Sequence, residues 1–395
     1  MISISKGIPM HNFDLFLPTK LIFGKDRLSE LPEVLRPLGS RILITYGGGS
    51  IVKSGLLDSV KKMLKDFTIF ELSGIEPNPR ITSVRDGVTV CKKEKIDILL
   101  AIGGGSVLDC TKNIACGVFY DGDPWDLVLD PSKITKALPI VDIITLAATG
   151  SEYDAGGVIT NLETNEKRAI IHPMLIPYAS FCDPTLTYSV PAWHTAAGAA
   201  DIMSHTFEQY FVRDGNILTD GMCEAMLRTV ITMTPAAIKD PDNYEARAQL
   251  LMVSSFGCCN LLCIGRTPST WPCHAIEHEI SAFHDITHGV GLAIITPHWM
   301  RYSLNGETAA KFAQYGRNVW NITEDDNMKA AEKAIDKTAE FFASIGIPSK
   351  LSEVGVTDEH FEKMADHIPE CWASLKDSLV PVDRDGVLEI LRNSL

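Results

Sequence analysis

The chain has 395 residues, of which 45% are hydrophobic and 22% are charged, as in ordinary globular proteins. A single hydrophobic core rarely extends over this length, so we expect two domains. The net charge of −14 argues against nucleic acid or an anionic membrane as a partner, because both bind basic surfaces.

The N-terminal segment lacks the basic stretch followed by an apolar stretch that marks an export signal. No apolar run approaches the roughly 18 to 20 residues that are needed to cross a bilayer. The ten cysteines are scattered and form no CxxC pair, so a structural zinc ribbon is not expected. We therefore expect a cytoplasmic protein with reduced cysteines and no membrane partner.

The first half of the chain alternates apolar strands with helices. Three continuous Ile/Leu/Val-rich runs, at 41–46, 96–102 and 139–147, are typical of strands covered on both faces of a parallel sheet. Segments 55–67 and 81–95 have helical periodicity and charged faces. This alternation predicts βαβ units and an N-terminal α/β domain of Rossmann-like, dinucleotide-binding type.

From about residue 190 the pattern becomes helical throughout, and prolines at 184 and 191 mark the change. The predicted helices cover 193–213, 219–237, 244–264, 271–283, 307–320, 326–344, 357–367 and 384–393. We therefore divide the chain into an α/β domain at 1–188 and an all-α, metal-binding domain at 189–395.

Two GGGS turns, Gly47–Ser50 and Gly103–Ser106, each follow a predicted strand and precede a helix. At such a position glycine lets the backbone approach a nucleotide phosphate, and a helix N-terminus offers free N–H groups. Neither turn is a GxGxxG or P-loop motif, and two tight turns with positive φ would be an alternative explanation. Their occurrence together favours dinucleotide binding.

A third turn, TLAATGSE at 145–152, follows the third strand. Hydroxyl groups of Thr145, Thr149 and Ser151 could donate to a phosphate or ribose, although such clusters are also common in ordinary loops.

Asp201 and His205 are four residues apart in a predicted helix, so their side chains lie on one face. Small apolar neighbours indicate burial, and a buried aspartate requires a partner. The chain also holds four histidines in a short stretch: His274, His278, His284 and His288. We place His274 in a helix and His288 in the loop after it, where the two could meet.

An aspartate with two or three histidines makes a nitrogen and oxygen donor set that suits Fe(II) or Zn(II). The segment HAIEH also matches the H-x-x-E-H signature of an inverted zinc protease, with Glu277 as general base. That alternative leaves the two GGGS turns and the Asp201/His205 pair unexplained.

The segments GGGSVLDCTK, TLAATGSE, DIMSH and CHAIEHEISAFHDITHGVGLAI together resemble the iron-containing (group III) alcohol dehydrogenases. The resemblance runs nearly end to end and is greatest to the butanol dehydrogenase and NADPH-dependent aldehyde reductase branch. It implies reversible hydride transfer between a nicotinamide coenzyme and a small aliphatic aldehyde or alcohol such as butanal or butanol, in a homodimer.

The resemblance also implies roles for individual residues. The metal ligands would be Asp201, His205, His274 and His288, and His278 would relay a proton. The coenzyme contacts would be Gly48, Gly49, Ser50, Gly103, Gly104, Gly105, Ser106, Asp109, Thr145, Thr149 and Lys167.

Nothing between residues 46 and 53 is acidic, and Ser50 could donate to a 2′-phosphate, so we favour NADP(H) over NAD(H). Asp154 stands where an asparagine is common in this branch, and a carboxylate near the coenzyme phosphates would be unfavourable unless it points elsewhere. The sequence is also consistent with two other functions: a polyol dehydrogenase or carbon–oxygen lyase with the same metal cage, and a nucleotide-binding sensor without catalysis.

Overall fold

The computed structural model describes residues 10–395. Residues 1–9 lie outside the described residues. They belong to the N-terminal segment from which no export signal was predicted. The strands are β1 (Lys20–Phe23), β2 (Arg41–Tyr46), β3 (Thr68–Leu72), β4 (Ile98–Gly103), β5 (Ile140–Ile144), β6 (Gly156–Asn161), β7 (Glu166–Ile171) and β8 (Ala179–Cys182).

The helices of the first half lie between these strands and are α1 (Leu31–Leu35), α2 (Ser50–Lys53), α3 (Leu56–Met63), α4 (Ile81–Glu94), α5 (Gly105–Gly117) and α6 (Trp125–Leu129). The helices of the second half are α7 (Ala192–Tyr210), α8 (Ile217–Lys239), α9 (Tyr244–Gly257), α10 (Pro272–His284), α11 (His288–Ser303), α12 (Ala309–Trp320), α13 (Asn327–Ser344), α14 (Phe361–Cys371) and α15 (Arg384–Asn393).

Six strands form a parallel sheet in the order β1-β8-β5-β4-β2-β3, which confirms the predicted α/β class. The apolar runs are continuous for the predicted reason, which is that the strands are covered on both faces. Alternate residues of one strand pack into different hydrophobic cores. In β4, Leu99 and Ala101 pack into the core on one face, whereas Ile98, Leu100 and Ile102 pack into the core on the other face.

The strand order reverses between β2 and β4, since the chain runs outward from β2 to β3 and returns to the other side of β2. In doubly wound sheets a ligand binds beyond the carboxyl ends of the strands at such a switch point. The two GGGS turns follow β2 and β4, and therefore flank this point. The separate antiparallel pair, β6 and β7, lies outside the main sheet.

The second half, as described, is helical from α7 to α15, which confirms the predicted architecture. Its core joins side chains of α7, α8, α10, α11, α12 and α13 with those of the last two helices. The predicted division between residues 188 and 189 falls in the segment between β8 and α7. That boundary stays a prediction.

Two helix predictions were wrong. The helix expected at 244–264 ends at Gly257, because the backbone leaves the helical conformation at Cys258 with φ of −123° and turns left-handed at Asn260 with φ of 66°. Helix α11 was missed, and His288 is its first residue rather than part of a loop. Residues of α11 are buried around most of its circumference, so it has no polar face, and Gly289, Gly291 and Pro297 further obscure the helical pattern.

Within residues 10–395, no helix combines the length and the apolar character that crossing a membrane would require.

Candidate metal centre and coenzyme site

Helix α7 carries two of the predicted metal ligands, a carboxylate and an imidazole, one turn apart. Asp201 and His205 are both buried, and His205 Nε2 lies 3.4 Å from Asp201 Oδ1. All residues from Thr195 to Tyr210 are buried, because α7 runs through the middle of the helical half. The helix therefore holds both donor groups in an environment that excludes water.

Helices α10 and α11 bring two more imidazoles to the same carboxylate oxygen. His274, in the first turn of α10, and His288, the first residue of α11, place their Nε2 atoms 3.8 Å and 3.7 Å from Asp201 Oδ1. These distances are too long for hydrogen bonds. Ligand atoms that share a tetrahedral ion at about 2.1 Å lie about 3.4 Å apart, which resembles the observed spacing.

Two buried atoms of this cluster are uncompensated in a way that a bound cation would relieve. Asp201 Oδ1 and His274 Nε2 have no hydrogen-bond partner among the residues described. Such atoms are costly to bury without compensation. Burial alone would raise the pKa of Asp201, but the neighbouring histidines hold that pKa below its ordinary value. The residues present therefore fit a divalent metal ion.

Two glutamates fix the orientation of the imidazoles. Glu277 was predicted from sequence only as the general base of a protease, and Glu208 was not named. Glu208 Oε2 is hydrogen-bonded to His274 Nδ1, and Glu277 Oε2 is hydrogen-bonded to His288 Nδ1. Hydrogen-bonded carboxylates of this kind set the tautomer of metal-binding histidines. Glu208 lies three residues beyond His205, so helical spacing from Asp201 could have identified it.

His288 is close to two groups of possible ligands, one with Asp201 and one with Glu277 and His278. We assign it to the first group, because Glu277 already occupies its Nδ1 and leaves Nε2 facing Asp201. Glu277 also pairs with Lys167, whose Nζ lies 3.2 Å from Oε2. With both partners bound, Glu277 is poorly placed to act as the general base of a protease.

His278 lies beside the cluster without joining it. Its ring centroid is 5.5 Å from that of His288 and 6.0 Å from that of His274. Burial and the charge of Lys167 hold the pKa of His278 well below its ordinary value, so its imidazole is neutral near pH 7. The ring centroid of Trp372 lies 5.5 Å from that of His278, and the ring centroid of Trp271 lies 5.3 Å from that of His274. The sequence reading assigned no role to these two tryptophans.

The glycine turns after β2 and β4 differ in their surroundings. A Cβ at Gly105 would collide with the side chain of Thr149, whereas a Cβ at Gly48 or Gly49 would meet nothing within 4 Å. Gly49 has φ of 104°, which favours glycine. The first turn is thus open to a ligand, and the second is packed against the turn that follows β5.

The carboxylate of Asp109 is hydrogen-bonded to other residues of the protein rather than facing the open first turn. Its carboxylate accepts hydrogen bonds from Ser151 Oγ at 2.8 Å and from the Val158 N–H at 3.0 Å. Burial raises the pKa of Asp109 to about 6. Asp109 therefore anchors the turn that carries Thr149, and its predicted contact with the coenzyme stays a prediction.

The unexpected Asp154 has a structural partner. Its carboxylate lies 2.7 Å from Nζ of Lys112, which is fully buried. It also accepts a hydrogen bond from the Gly156 N–H. The carboxylate therefore neutralises a buried ammonium group.

Helix α7, which carries two members of the predicted metal cluster (Asp201, His205, His274 and His288), packs directly against the third predicted coenzyme turn. Gly198 of α7 packs against the carbonyl oxygen of Ala147, with no room for a Cβ. Gly198 is one turn before Asp201. Lys167, predicted as a coenzyme contact, lies on β7 and reaches Glu277 and, at 3.4 Å, His288 Nδ1. The metal cluster therefore borders the carboxyl edge of the sheet.

Comparisons with known proteins agree with this arrangement. Residues 18–184 match the family described as iron-containing alcohol dehydrogenase, and residues 195–395 match the C-terminal part of the Fe-containing alcohol dehydrogenase family. The chain is 51% identical to NADH-dependent butanol dehydrogenase A of Clostridium acetobutylicum, over 98% of this chain and 100% of the relative. It is 38% identical to the NADPH-dependent aldehyde reductase YqhD of Escherichia coli, over 88% and 90%.

A solved structure is also similar throughout. The crystal structure of NADH-dependent butanol dehydrogenase A from Thermotoga maritima has a TM-score of 0.93 and 35% identity, and the match covers 98% of this chain and 99% of that one.

Proposed function

Because the chain belongs to the iron-containing alcohol dehydrogenase family, we propose that it is a metal-dependent, NAD(P)H-linked enzyme that interconverts small aliphatic aldehydes and alcohols such as butanal and butanol. The observation that carries this proposal is the convergence of three imidazole nitrogens on Asp201 Oδ1 beside the carboxyl edge of the sheet. The family match leaves the protease alternative without support.

In this proposal Asp201, His205, His274 and His288 hold the ion, and Fe(II) and Zn(II) both suit their donors. The ion supplies Lewis-acid polarisation of a carbonyl oxygen, and the reduced nicotinamide supplies the hydride. Glu208 and Glu277 keep the Nε2 lone pairs of His274 and His288 directed at Asp201. The glycine turns bind the coenzyme phosphates.

His278 moves the proton that balances the hydride. Reduction adds a hydride to the carbonyl carbon and a proton to the oxygen, and the proton must come from solvent. His278 is buried and neutral, and its Nδ1 has no hydrogen-bond partner among the described residues. A neutral imidazole can accept a proton on one nitrogen and release the other, as a relay requires.

We favour NADPH as the coenzyme. The open first turn is followed by the exposed Ser50 and Lys53, and the segment 46–53 contains no carboxylate that would repel a 2′-phosphate. The names of the relatives differ on the coenzyme, because the butanol dehydrogenase is called NADH-dependent and the aldehyde reductase is called NADPH-dependent. Comparison of kcat/KM for the two coenzymes decides the preference, and a clear advantage for NADH would overturn it.

A polyol is the second candidate substrate, since 1,3-propanediol dehydrogenase of Citrobacter freundii is 33% identical over 90% of this chain. The indoles of Trp271 and Trp372 beside the cluster favour an apolar substrate instead. A substrate panel of butanal, butanol, glycerol and 1,3-propanediol distinguishes the two candidates.

The metal requirement is tested by chelation. Protein stripped of metal should lose butanal reduction with either coenzyme and regain it when Fe(II) or Zn(II) is returned. Full activity in the metal-free protein would contradict the proposal.

We also propose a homodimer. Large apolar side chains are exposed along the segment that precedes β1, including Met10 at 62% and Phe16 at 75%, and such surfaces commonly mark contacts between chains. Sedimentation velocity measures the assembly state directly, and a monomer at micromolar concentration would contradict this proposal.

A further inference from the structure

A second group of side chains that could bind a metal lies beside His278, on the other side of it from Asp201 in sequence and with no residue in common with the first group. Glu279 of α10 meets His367 and Cys371 of α14, which are four residues apart and therefore share a face. His367 Nδ1 is 2.8 Å from Glu279 Oε1 and 3.7 Å from Cys371 Sγ, so one ring nitrogen faces both of the other donors. One ligand atom from each of the three residues lies within 4.8 Å of the other two.

The cluster holds an incompletely compensated carboxylate. Glu279 is 2% exposed, and its Oε2 has no hydrogen-bond partner in the described part of the chain. Burial raises the pKa of Glu279, even though His367 favours the charged form. A buried carboxylate with one unpaired oxygen is costly, and a bound cation would remove that cost.

The surroundings allow the cluster to bind a cation and to complete its coordination. The other ring nitrogen of His367, Nε2, lies 3.5 Å from Glu166 Oε1 of β7 and 3.4 Å from the guanidinium of Arg168, which is paired with Glu166. His367 is partly exposed, so water can reach the cluster from one side. Three protein ligands with a fourth position for water make an arrangement that zinc commonly adopts.

We propose that Glu279, His367 and Cys371 bind a second divalent ion, with zinc as the best match to their oxygen, nitrogen and sulfur donors. The thiol loses its proton when the ion binds, and that proton is released to solvent. This site differs in chemistry from the Asp201 cluster, which contains only nitrogen and oxygen donors.

The ion would connect α14 to α10 at a position next to the substrate region. Trp372 follows Cys371 directly, and its indole packs against His278, the residue before Glu279. Binding at this second site would therefore hold Trp372 in place against His278.

Because only the second site contains a sulfur donor, cobalt substitution distinguishes it from the Asp201 cluster. Metal-stripped full-length protein is reconstituted with Co(II), and the near-ultraviolet spectrum is recorded. Only a site that contains a cysteine ligand gives a thiolate-to-cobalt charge-transfer band, so the Asp201 cluster cannot produce it. We expect the band in the wild-type protein and its loss in Cys371→Ser, with one fewer cobalt bound per chain.

Two further variants complete the design. Cys263→Ser is the matched control, because Cys263 is also partly exposed but hydrogen-bonds to Gln209 outside the cluster. We expect it to keep the band. His367→Gln should lose the band while keeping every thiol, which separates loss of a ligand from damage to the fold. Absence of the band in the wild type, or its persistence in Cys371→Ser, would overturn the proposal.

Discussion

At the residue scale, the proposed chemistry depends on which nitrogen of each imidazole carries a proton. Glu208 accepts the backbone N–H of Cys273 and of His274 through Oε1, and it contacts His274 Nδ1 through Oε2. One carboxylate therefore caps the start of α10 and directs the His274 Nε2 lone pair at Asp201. Replacement of that carboxylate by an amide should alter the tautomer of His274.

We expect Glu208→Gln to weaken metal binding about 10- to 100-fold, as for other partners of metal-bound histidines. The amide NH₂ would donate to His274 Nδ1, which moves the imidazole proton to Nε2 and blocks coordination. Metal titration of the stripped protein measures the change.

Glu224→Gln is the matched control for this variant. Glu224 is also buried and accepts hydrogen bonds from Tyr210, Gln314 and Asn318, but it touches no residue of the cluster. Equal losses of metal affinity in the two variants would show that Glu208 has only a structural role.

At the element scale, the distance between α7 and α11 positions two of the proposed ligands. Gly289, next to His288, lies so close to the Ala197 carbonyl of α7 that no Cβ can fit. Because backbone rather than a flexible side chain forms the obstruction, a larger residue must push the helices apart. His288 would then move away from Asp201.

Gly289→Ala should lower the free energy of unfolding by about 1 to 3 kcal/mol, the usual cost of overpacking, and should also reduce metal affinity. Gly221→Ala is the control, since Gly221 is exposed within α8 and a Cβ there would meet nothing within 4 Å. That variant should gain roughly 0.5 to 1 kcal/mol from helix propensity. Chemical denaturation measures the stability and metal titration measures the affinity. A Gly289→Ala protein with wild-type stability and wild-type metal affinity would contradict the packing argument.

At the scale of the whole molecule, the helical half and the sheet meet across several polar contacts. Arg80 lies 2.7 Å from Asp285, the residue that follows α10, and Asn78 donates to the same carboxylate. Glu152, in the turn after β5, accepts a hydrogen bond from Ser255 of α9 at 2.6 Å. Burial raises the pKa of Glu152 from 4.5 to about 7.

This raised pKa predicts a dependence of stability on pH. A carboxyl whose pKa is higher in the folded state stabilises the fold fully below pH 4.5, and that stabilisation is lost as pH rises through 7. A rise of this size corresponds to roughly 3 kcal/mol. Wild-type protein should therefore lose more stability than Glu152→Gln between pH 5 and pH 8, as measured by chemical denaturation. Parallel pH profiles of the two proteins would contradict the assignment.

Much of the architecture could be predicted from sequence because its signals are local. Continuous apolar runs indicate strands buried on both faces, and the Asp201/His205 spacing defines one helix face. Contacts between distant segments carry no such signal. Lys112 and Asp154 are 42 residues apart, and nothing in either neighbourhood indicates that they pair. Helix α11 was missed because a helix buried on most sides lacks an amphipathic period.

The central claim is that the Asp201 cluster binds the metal that aldehyde reduction requires, while the glycine turns bind the coenzyme separately. The most direct test is His274→Ala, with bound metal, butanal reduction and NADPH affinity measured on the same preparation. We predict loss of activity and of metal at this cluster, with NADPH affinity unchanged. A variant that keeps wild-type activity, or that loses NADPH binding along with the metal, would contradict the claim.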